Sequence, residues 1–253
     1  MAKKTKRPAK YDLKAGERRR NILIQVGLTA IVLVFAVGLV LYIVMSNADK
    51  PKAGDARAIR VSSQKLIKKD GSDEPKAVIT VAEDFLCPAC GNFEKIFGPT
   101  VNQIIDTGAA AVDYNMVAIL DRPQNQNYSS RSGGAGYCVA DKSIDAFRVF
   151  HSALYAQQPS ETGSVFPDNA QLVESARLAG AGGDDVAECI NSGRYVSMVE
   201  GMAAAVGVKA TPTIRINGED YKPTTPDALV DKIKSIVGDV PGLAAPAQEP
   251  AAS

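Results

Sequence analysis

The apolar residues of this chain follow three patterns: one unbroken run, short segments typical of strands, and repeats typical of helices. The unbroken run extends from Ile22 to Met45 without a charged residue, and Gln25 and Thr29 are its noticeably polar members. At about 1.5 Å per residue, a helix of this length spans a hydrocarbon core about 30 Å thick. We therefore predict a transmembrane helix over residues 22–45.

The next segment, residues 46–58, is polar and contains proline and glycine, so we interpret it as a linker. A short first strand is expected at 58–63. The segment from Ala77 to Phe85 is β-branched and apolar, which favours a central strand of a sheet.

A helical repeat follows directly, because apolar residues recur at spacings of three and four from Cys87 onwards. Pro99 is expected to kink or break this helix, and Gly108 is expected to end it. Residues 111–120 then predict a second core strand.

The strand pattern stops after this point, and residues 129–207 are mostly helical in their periodicity. Three helical segments are predicted, at 136–157, 168–179 and 184–206. Strand, turn and helix signals then return in that order, at Thr213 to Ile216, at Asn217-Gly218, and from Thr225 or Asp227 to Gly238. The pattern predicts one domain over 59–240 with a helical insertion at about 121–207, and an Ala/Pro-rich disordered tail at 241–253.

The net charge of +1 conceals a separation of charge along the chain. Residues 1–20 contain nine basic and two acidic side chains, whereas the remainder has a balance of −6. The acidic body argues against nucleic acid as a partner. The basic tail, 1–21, instead indicates a cytoplasmic N-terminus beside a single-pass anchor in the cell membrane. A signal peptide cleaved near Ser46-Asn47-Ala48 is the alternative, and it would place the body on the same, disulfide-permissive side.

The candidate chemistry lies in the run Cys87-Pro88-Ala89-Cys90. Two cysteines at a helix N-terminus form a redox-active dithiol, because the N–H groups there stabilise the thiolate that attacks a disulfide. We expect Cys87 to be exposed, with Pro88 starting the helix. The alternatives are a structural disulfide and half of a zinc site.

The other two cysteines, Cys138 and Cys189, stand alone in the helical block, and His151 is the one histidine in the sequence. This spacing does not favour a zinc site, so we predict neither a metal nor another cofactor. Our preferred pairing joins Cys138 to Cys189 in a structural disulfide worth roughly 4 kcal/mol. A second relay dithiol is the alternative. We assign His151 no role.

Two further features belong with the dithiol. Thr211-Pro212 precedes a predicted strand, and the dithiol upstream favours a cis peptide bond that faces it; the alternative is an ordinary strand start. Glu83, Asp84 and Glu94 are candidate acids near the cysteines, where a buried carboxyl could accept the proton of the second cysteine, unless they are solvated surface charges.

The order of elements and these motifs resemble a thioredoxin fold with a helical insertion, of α/β class, and in particular the DsbA family. Within that family the chain resembles the membrane-anchored DsbA-like proteins of actinobacteria, over roughly residues 60–240. The matching residues are Phe85, Cys87-Pro88-Ala89-Cys90, Phe93-Glu94 and Thr211-Pro212.

The resemblance implies a role for each matching position. Cys87 would be the nucleophile, Cys90 would resolve the mixed disulfide, Thr211 would help bind the substrate chain, and Glu94 would be the acid beneath the dithiol. Ala89 departs from the family, whose best-known members have histidine there to stabilise the thiolate. Helix-end N–H groups should then dominate, giving Cys87 a pKa below about 8.5 but above about 3.5.

The implied function is a membrane-anchored thiol:disulfide oxidoreductase that introduces disulfides into exported proteins. Its partners would be unfolded or reduced exported proteins and a quinone-linked membrane reoxidant resembling vitamin K epoxide reductase. Because Ala89 replaces the histidine, a disulfide reductase or isomerase on the same fold is the alternative. A non-catalytic interaction domain is the more distant one.

Overall fold

The computed structural model describes the backbone of residues 13–48 and 53–244, with side chains from 24–42 and 54–244. The chain divides into two compact units, residues 1–50 and 51–253, which are described separately below. Three parts of our predictions lie outside the described residues: the tail up to residue 12, linker residues 49–52 and the end from residue 245.

The first unit contains one long helix, α1 (Leu13–Ala48). Its stretch Ile24–Tyr42 has a mean hydropathy of 2.6, and no part of that stretch is buried. Among the described residues it is the one helix long and apolar enough to cross a membrane. The helix therefore fits a single-pass membrane anchor, and it begins earlier than the predicted 22–45 because it continues into the basic segment.

The second unit is a five-stranded sheet with helices. The elements are β1 (Ile59–Val61), β2 (Val78–Glu83), α2 (Pro88–Thr107), β3 (Ala111–Met116), α3 (Tyr128–Lys142), α4 (Ile144–Ala156), α5 (Asn169–Leu178), α6 (Asp184–Asn191), α7 (Val196–Ala205), β4 (Thr213–Ile216), β5 (Glu219–Tyr221) and α8 (Pro226–Val237). The strand order is β1-β3-β2-β4-β5, in which β2 and β3 are parallel and the other neighbours antiparallel. The predicted thioredoxin fold with a helical insertion is confirmed.

Helix α2 packs its apolar face on the sheet and starts at the dithiol. Phe97, Val101 and Ile104 are buried on both sides of Pro99. Of the two outcomes expected at Pro99, a kink or a break, the break does not occur, because burial of this face on either side holds the helix continuous to Thr107. Gly108 ends the helix at φ 77°, where a Cβ atom would lie 2.3 Å from the carbonyl oxygen of Lys65.

The helical block contains more turns than the periodicity predicted. The segment 136–157 is divided at Ser143, whose hydroxyl accepts a hydrogen bond from the N–H of Ala146 and caps α4. The segment 184–206 is divided by a turn at Gly193, where φ is 62°. A disulfide between Cys138 and Cys189 joins α3 to α6, as we preferred.

Residues 54–58 and 241–244, the first and last described side chains of the second unit, make defined contacts with it. In the predicted linker, Arg57 pairs with Asp141 at 2.6 Å, and the Tyr195 hydroxyl also contacts both side chains. At the other end, Leu243 is 3% exposed. Within the predicted linker, 46–58, and the predicted disordered tail, 241–253, the described residues 54–58 and 241–244 therefore contact the domain through an ion pair and a buried side chain.

Candidate active site

The dithiol lies where β2 passes into α2. Cys87 is the N-cap of α2 in extended conformation, and Pro88 is the first helical residue. The Cys87 N–H donates to the Asp84 carbonyl at 2.9 Å. The Asp84 carboxylate accepts from the N–H groups of Leu86 and Leu120, both at 2.9 Å. Asp84, one of the three candidate acids, therefore holds the loop that presents the cysteines.

The two sulfurs occupy different environments although both residues are free thiols. Cys87 retains 7% of its surface, and Cys90 retains none. The expectation that Cys87 is exposed is therefore too strong, because the loop containing Thr211 covers most of it. The remaining surface of Cys87 makes it the sulfur that a substrate can reach first.

The pKa values of the two thiols move in opposite directions. A hydrogen bond from the Cys90 thiol is the largest influence on Cys87; with smaller contributions from Thr211 and the N–H groups of Cys90 and Ala89, it outweighs burial and lowers the Cys87 pKa to about 5. Burial, the Cys87 sulfur and the Glu83 charge raise the Cys90 pKa far above its ordinary value. The Cys87 value lies within the predicted limits, but the expected dominance of helix-end N–H groups is wrong.

The peptide bond between Thr211 and Pro212 is cis. It immediately precedes β4, which pairs with β2, so the sheet brings this loop to the dithiol although it is distant in sequence. The Cys87 sulfur lies 3.5 Å from the Thr211 carbonyl oxygen and donates to it when protonated. The loop thus closes over the reactive cysteine.

Two carboxyls and an imidazole form a buried group beneath the dithiol. Glu83 ends β2, Glu94 lies on the second turn of α2, and His151 comes from α4 in the insertion. The Nε2 atom of His151 lies 2.8 Å from Glu83 Oε2, and its Nδ1 atom lies 3.8 Å from Glu94 Oε2. We call these three residues the acid cluster.

Burial determines the charges in the acid cluster. It raises the pKa of both Glu83 and Glu94, and the repulsion between the two carboxylates raises that of Glu94 further. Burial also lowers the pKa of His151. The imidazole is therefore neutral near pH 7, its contact with Glu83 is a hydrogen bond, and the two carboxyls retain a proton that an exposed pair would lose.

The structure places His151, to which the sequence analysis assigned no role, in the acid cluster. His151 is buried against the rings of Phe85, Tyr114, Phe147 and Tyr155. Its spacing of four from Phe147 and Tyr155 was the available sequence signal, since these positions share one helix face. Nothing in the local sequence indicated that this face meets Glu83.

Gln158 is a second contributor that the sequence did not reveal. It follows α4, and its side-chain Nε2 donates to the carbonyls of Phe85 at 3.0 Å and Cys87 at 2.9 Å. Its Oε1 lies where Gly91 offers no side chain: a Cβ atom there would be 2.4 Å away. The insertion therefore holds the dithiol loop from the side opposite the cis peptide.

Two grooves border the first turns of α2. The smaller, about 330 Å³, lies beside the dithiol and includes Ala89, Phe93, Phe97, Pro212 and Ile214 in its wall. The larger, about 800 Å³, lies between α2 and α4 and includes Glu94, Lys95, Tyr155 and Gln158. The first combines these apolar side chains with Asn92, Asp220 and Lys222 and reaches the reactive loop, whereas the second reaches the acid cluster.

Two groupings were tested as metal-binding sites. Cys138 and Cys189 are bonded to each other, so they cannot complete a zinc site with the dithiol. Within the described residues, the acid cluster is the one grouping whose donor atoms all lie within 4.8 Å. We assign a shared proton to it, because 2.8 Å between His151 and Glu83 is hydrogen-bond spacing, shorter than between two ligands of a tetrahedral ion.

Comparisons with known proteins agree with this geometry. A family model described as thioredoxin matches residues 70–235. The chain is 58% identical to the reduced form of DsbA from Mycobacterium tuberculosis, with a TM-score of 0.72 over 74% of this chain and 95% of that one. It is 59% identical to the reduced disulfide bond oxidoreductase DsbG of the same organism, with a TM-score of 0.72 over 76% and 91% of the two chains.

Two further similarities support less: one shows the fold alone, and the other concerns only part of the related protein. MdbA, a thiol-disulfide oxidoreductase from Corynebacterium diphtheriae, shares the fold at 18% identity, with a TM-score of 0.57 over 74% of this chain and 98% of that one. The serine/threonine-protein kinase PknE of Mycobacterium tuberculosis is 30% identical over 127 residues, or 49% of this chain. The chain spans 22% of the length of that curated relative, so the similarity concerns one part of it.

Proposed function

This chain belongs to the thioredoxin family and is a DsbA-like thiol:disulfide oxidoreductase, and from that premise we propose that it introduces disulfides into exported proteins from a membrane anchor. The observation that carries the proposal is the contrast between the two thiols. A Cys87 pKa of about 5 stabilises the reduced enzyme as a thiolate, so its disulfide is readily reduced by substrates.

The reaction in this direction has two exchanges. A substrate thiolate attacks the Cys87 sulfur of the enzyme disulfide, forming a mixed disulfide, and Cys90 leaves and takes up a proton. A second substrate thiolate then attacks the substrate sulfur, and Cys87 leaves as the stable thiolate. The substrate loses two electrons and the enzyme gains them, so an oxidant must later restore the Cys87–Cys90 bond.

The surroundings of Cys87 suit an extended, unfolded substrate chain. The groove beside the dithiol contains Ala89 and Pro212 near the sulfur, so this part of it can accept apolar side chains. Proline has no N–H, and the neighbouring backbone groups of this loop remain able to pair with an extended peptide. We propose that Thr211 orients the substrate, since its carbonyl lies against the Cys87 sulfur.

The proposed anchor is α1, with the basic N-terminus in the cytoplasm and the catalytic domain outside. A quinone-linked membrane protein resembling vitamin K epoxide reductase would reoxidise the dithiol. Because both proteins would share one bilayer, their effective concentration would be raised. Protease digestion of intact spheroplasts tests the orientation: the domain must be degraded from outside while the first residues are protected.

Covalent trapping tests the exchange itself. The Cys90→Ala variant should accumulate mixed disulfides between Cys87 and exported proteins, which dithiothreitol releases. The matched variant with both Cys87→Ser and Cys90→Ala should trap none. Trapping of cytoplasmic proteins alone, or equal trapping by both variants, would refute the proposal.

The reduction potential separates an oxidase from a reductase or isomerase, an alternative that Ala89 keeps open. A value near about −120 mV is expected for an oxidase, whereas a value near about −270 mV would indicate a reductase. Equilibration of the full-length protein in detergent with glutathione buffers, read by alkylation of free thiols, gives this value.

A further inference from the structure

The loop between β2 and α2 is bonded by a side chain from the helical insertion. The Nε2 atom of Gln158 donates to the carbonyls of Phe85 at 3.0 Å and Cys87 at 2.9 Å. We propose that Gln158 is a positioning residue for thiol–disulfide exchange, which holds Cys87 in the extended conformation where helix N–H groups stabilise a negative charge on its sulfur. This inference rests on the proposed function and adds to it a residue from the insertion.

Two different residues complete the hydrogen bonding of this loop. Asp84 serves its N–H groups: the Asp84 carboxylate accepts from Leu86, and the Asp84 carbonyl accepts from Cys87, both at 2.9 Å. Gln158 serves the carbonyls of Phe85 and Cys87. Phe85 is 1% exposed, so its carbonyl would be costly to leave without a partner. Without Gln158, the carbonyl side of the loop would therefore have reason to rearrange.

The carboxamide of Gln158 is suited to this double contact. Its NH₂ group has two hydrogens, so one can be directed to each carbonyl. Its oxygen, Oε1, lies against Gly91 on α2, where a Cβ atom would be only 2.4 Å away. Because Oε1 is the end of a flexible side chain, a methyl group at position 91 would displace the carboxamide more easily than it would move the backbone.

The end of α4 fixes Gln158 itself. The Gln158 N–H donates to the Tyr155 carbonyl at 3.3 Å, and Pro159 restricts the backbone of the residue before it to extended conformations. The Tyr155 ring packs against Phe85, with the ring centroids 5.1 Å apart. The carboxamide is therefore preorganised by the same helix that packs on the reactive loop.

The Cys87 carbonyl links Gln158 to the chemistry of the sulfur. This carbonyl also accepts from the N–H groups of Cys90 at 3.0 Å and Gly91 at 3.1 Å, which are the first bonds of α2. The N–H groups of Ala89 and Cys90 in turn help to stabilise the Cys87 thiolate. A looser Cys87 backbone should weaken that stabilisation. The positive end of the carboxamide dipole also faces Cys87, which favours negative charge there.

The ionisable groups around the reactive loop lie on all the elements packed against it. They are Glu83 and Asp84 before the loop, Cys90 and Glu94 on α2, and His151 and Tyr155 on α4. Burial raises the pKa of the acids, the thiol and the phenol, and lowers that of the imidazole. Gln158 and Gly91 carry no charge, so replacing them removes none of these groups, and a changed Cys87 titration reports on the loop.

The test compares the unmodified full-length protein in detergent with four variants. Gln158→Ala removes both hydrogen bonds, and Gly91→Ala keeps Gln158 but fills the space of its Oε1. The third variant combines the two substitutions. Gln157→Ala is the matched control, because this neighbouring glutamine is exposed and contributes its backbone N–H to the end of α4. Each protein is measured by thiolate absorbance against pH and by equilibration with glutathione buffers.

We expect Gln158→Ala to raise the Cys87 titration midpoint by about half a unit to one unit, because the thiolate loses stabilisation that the thiol does not need. The equilibrium with glutathione should shift about threefold to tenfold towards the enzyme disulfide, which is about 14–30 mV. Gly91→Ala should reproduce both shifts, and the combined variant should show no more than either one, because both substitutions break the same contact. Gln157→Ala should show neither shift.

Three outcomes would overturn the inference: an unchanged midpoint in Gln158→Ala, an equal shift in Gln157→Ala, or shifts from Gln158→Ala and Gly91→Ala that add in the combined variant. Circular dichroism and the retained Cys138–Cys189 bond check that each variant is folded. If Gln158→Ala does not fold, Gly91→Ala decides by itself. None of these outcomes affects the proposed function, which instead fails if Cys87 of the unmodified protein forms no mixed disulfide with exported proteins.

Discussion

Each of the two cysteine pairs of this chain has two sulfur atoms, but one pair is reduced and the other is bonded. Cys87 and Cys90 share one helix turn and remain free thiols, and the charge of Glu83 in the acid cluster acts on Cys90. Cys138 and Cys189 are 51 residues apart and bonded across two helices. The comparison shows that local spacing and the charges around a sulfur, more than burial alone, separate a reactive pair from a structural one, since all four residues are largely buried.

The largest effect is expected from a substitution that removes one cysteine of the reactive pair. Cys87→Ser should reduce the oxidation of a reduced, unfolded substrate to the uncatalysed rate, because the Cys87–Cys90 disulfide that a substrate thiolate attacks can no longer form. Near pH 7 its thermal unfolding should lie below that of the reduced protein, because serine lacks the stabilising contribution of the Cys87 thiolate, and it should approach that of the reduced protein at about pH 5. Activity and circular dichroism melting check both statements; residual catalysis above background would contradict the assignment.

The structural pair should show the reverse behaviour. The Cys138→Ser, Cys189→Ser double variant should lose roughly 4 kcal/mol of unfolding free energy, because the unfolded chain is no longer closed into a long loop. At a temperature where it remains folded, its exchange rate per folded molecule should be nearly unchanged. Urea unfolding and the substrate assay measure the two quantities, and a selective loss of exchange with full stability would favour the relay alternative.

A pH titration of the reduced domain sharpens the contrast. Thiolate absorbance should show a midpoint at about 5 for Cys87. Since the folded pKa lies below the unfolded value of about 8.5, the unfolded chain binds more protons between these limits. This group therefore stabilises the reduced protein fully above about pH 8.5, and its contribution disappears as the pH falls through about 5. A midpoint of 8 or above would contradict the assignment of Cys87 as an activated thiolate.

The smallest effect concerns the residue between the two thiols. Ala89→His places a cation beside Cys87 and should lower its pKa by up to about one unit, which is about 1.4 kcal/mol. The same energy raises the reduction potential by about 30 mV, making the enzyme more oxidising. Ala89→Gln is the matched uncharged control and should leave both values unchanged; an equal shift in the control would assign the effect to packing.

Much of the fold was accessible from periodicity because the relevant signals are local. The alternation in β2, the helical repeat of α2, and the turn at Asn217-Gly218 each depend on neighbours within a few residues. Helix α2 does not break at Pro99, and Leu243 in the predicted disordered tail is buried, because neither outcome depends on local sequence alone. Whether a proline or a tail is tolerated depends on the apolar surface that it buries elsewhere in the fold.

The chain alone revealed the chemistry of the dithiol, since the type and spacing of Cys87 and Cys90 restrict it before any fold is known. Only the folded domain joined β2, α2 and α4 around Glu83, Glu94 and His151, and brought Gln158 to the reactive loop. The reason is physical: a thiol and a helix start are properties of adjacent residues, whereas the pKa of a buried group depends on desolvation and on charges contributed by distant segments.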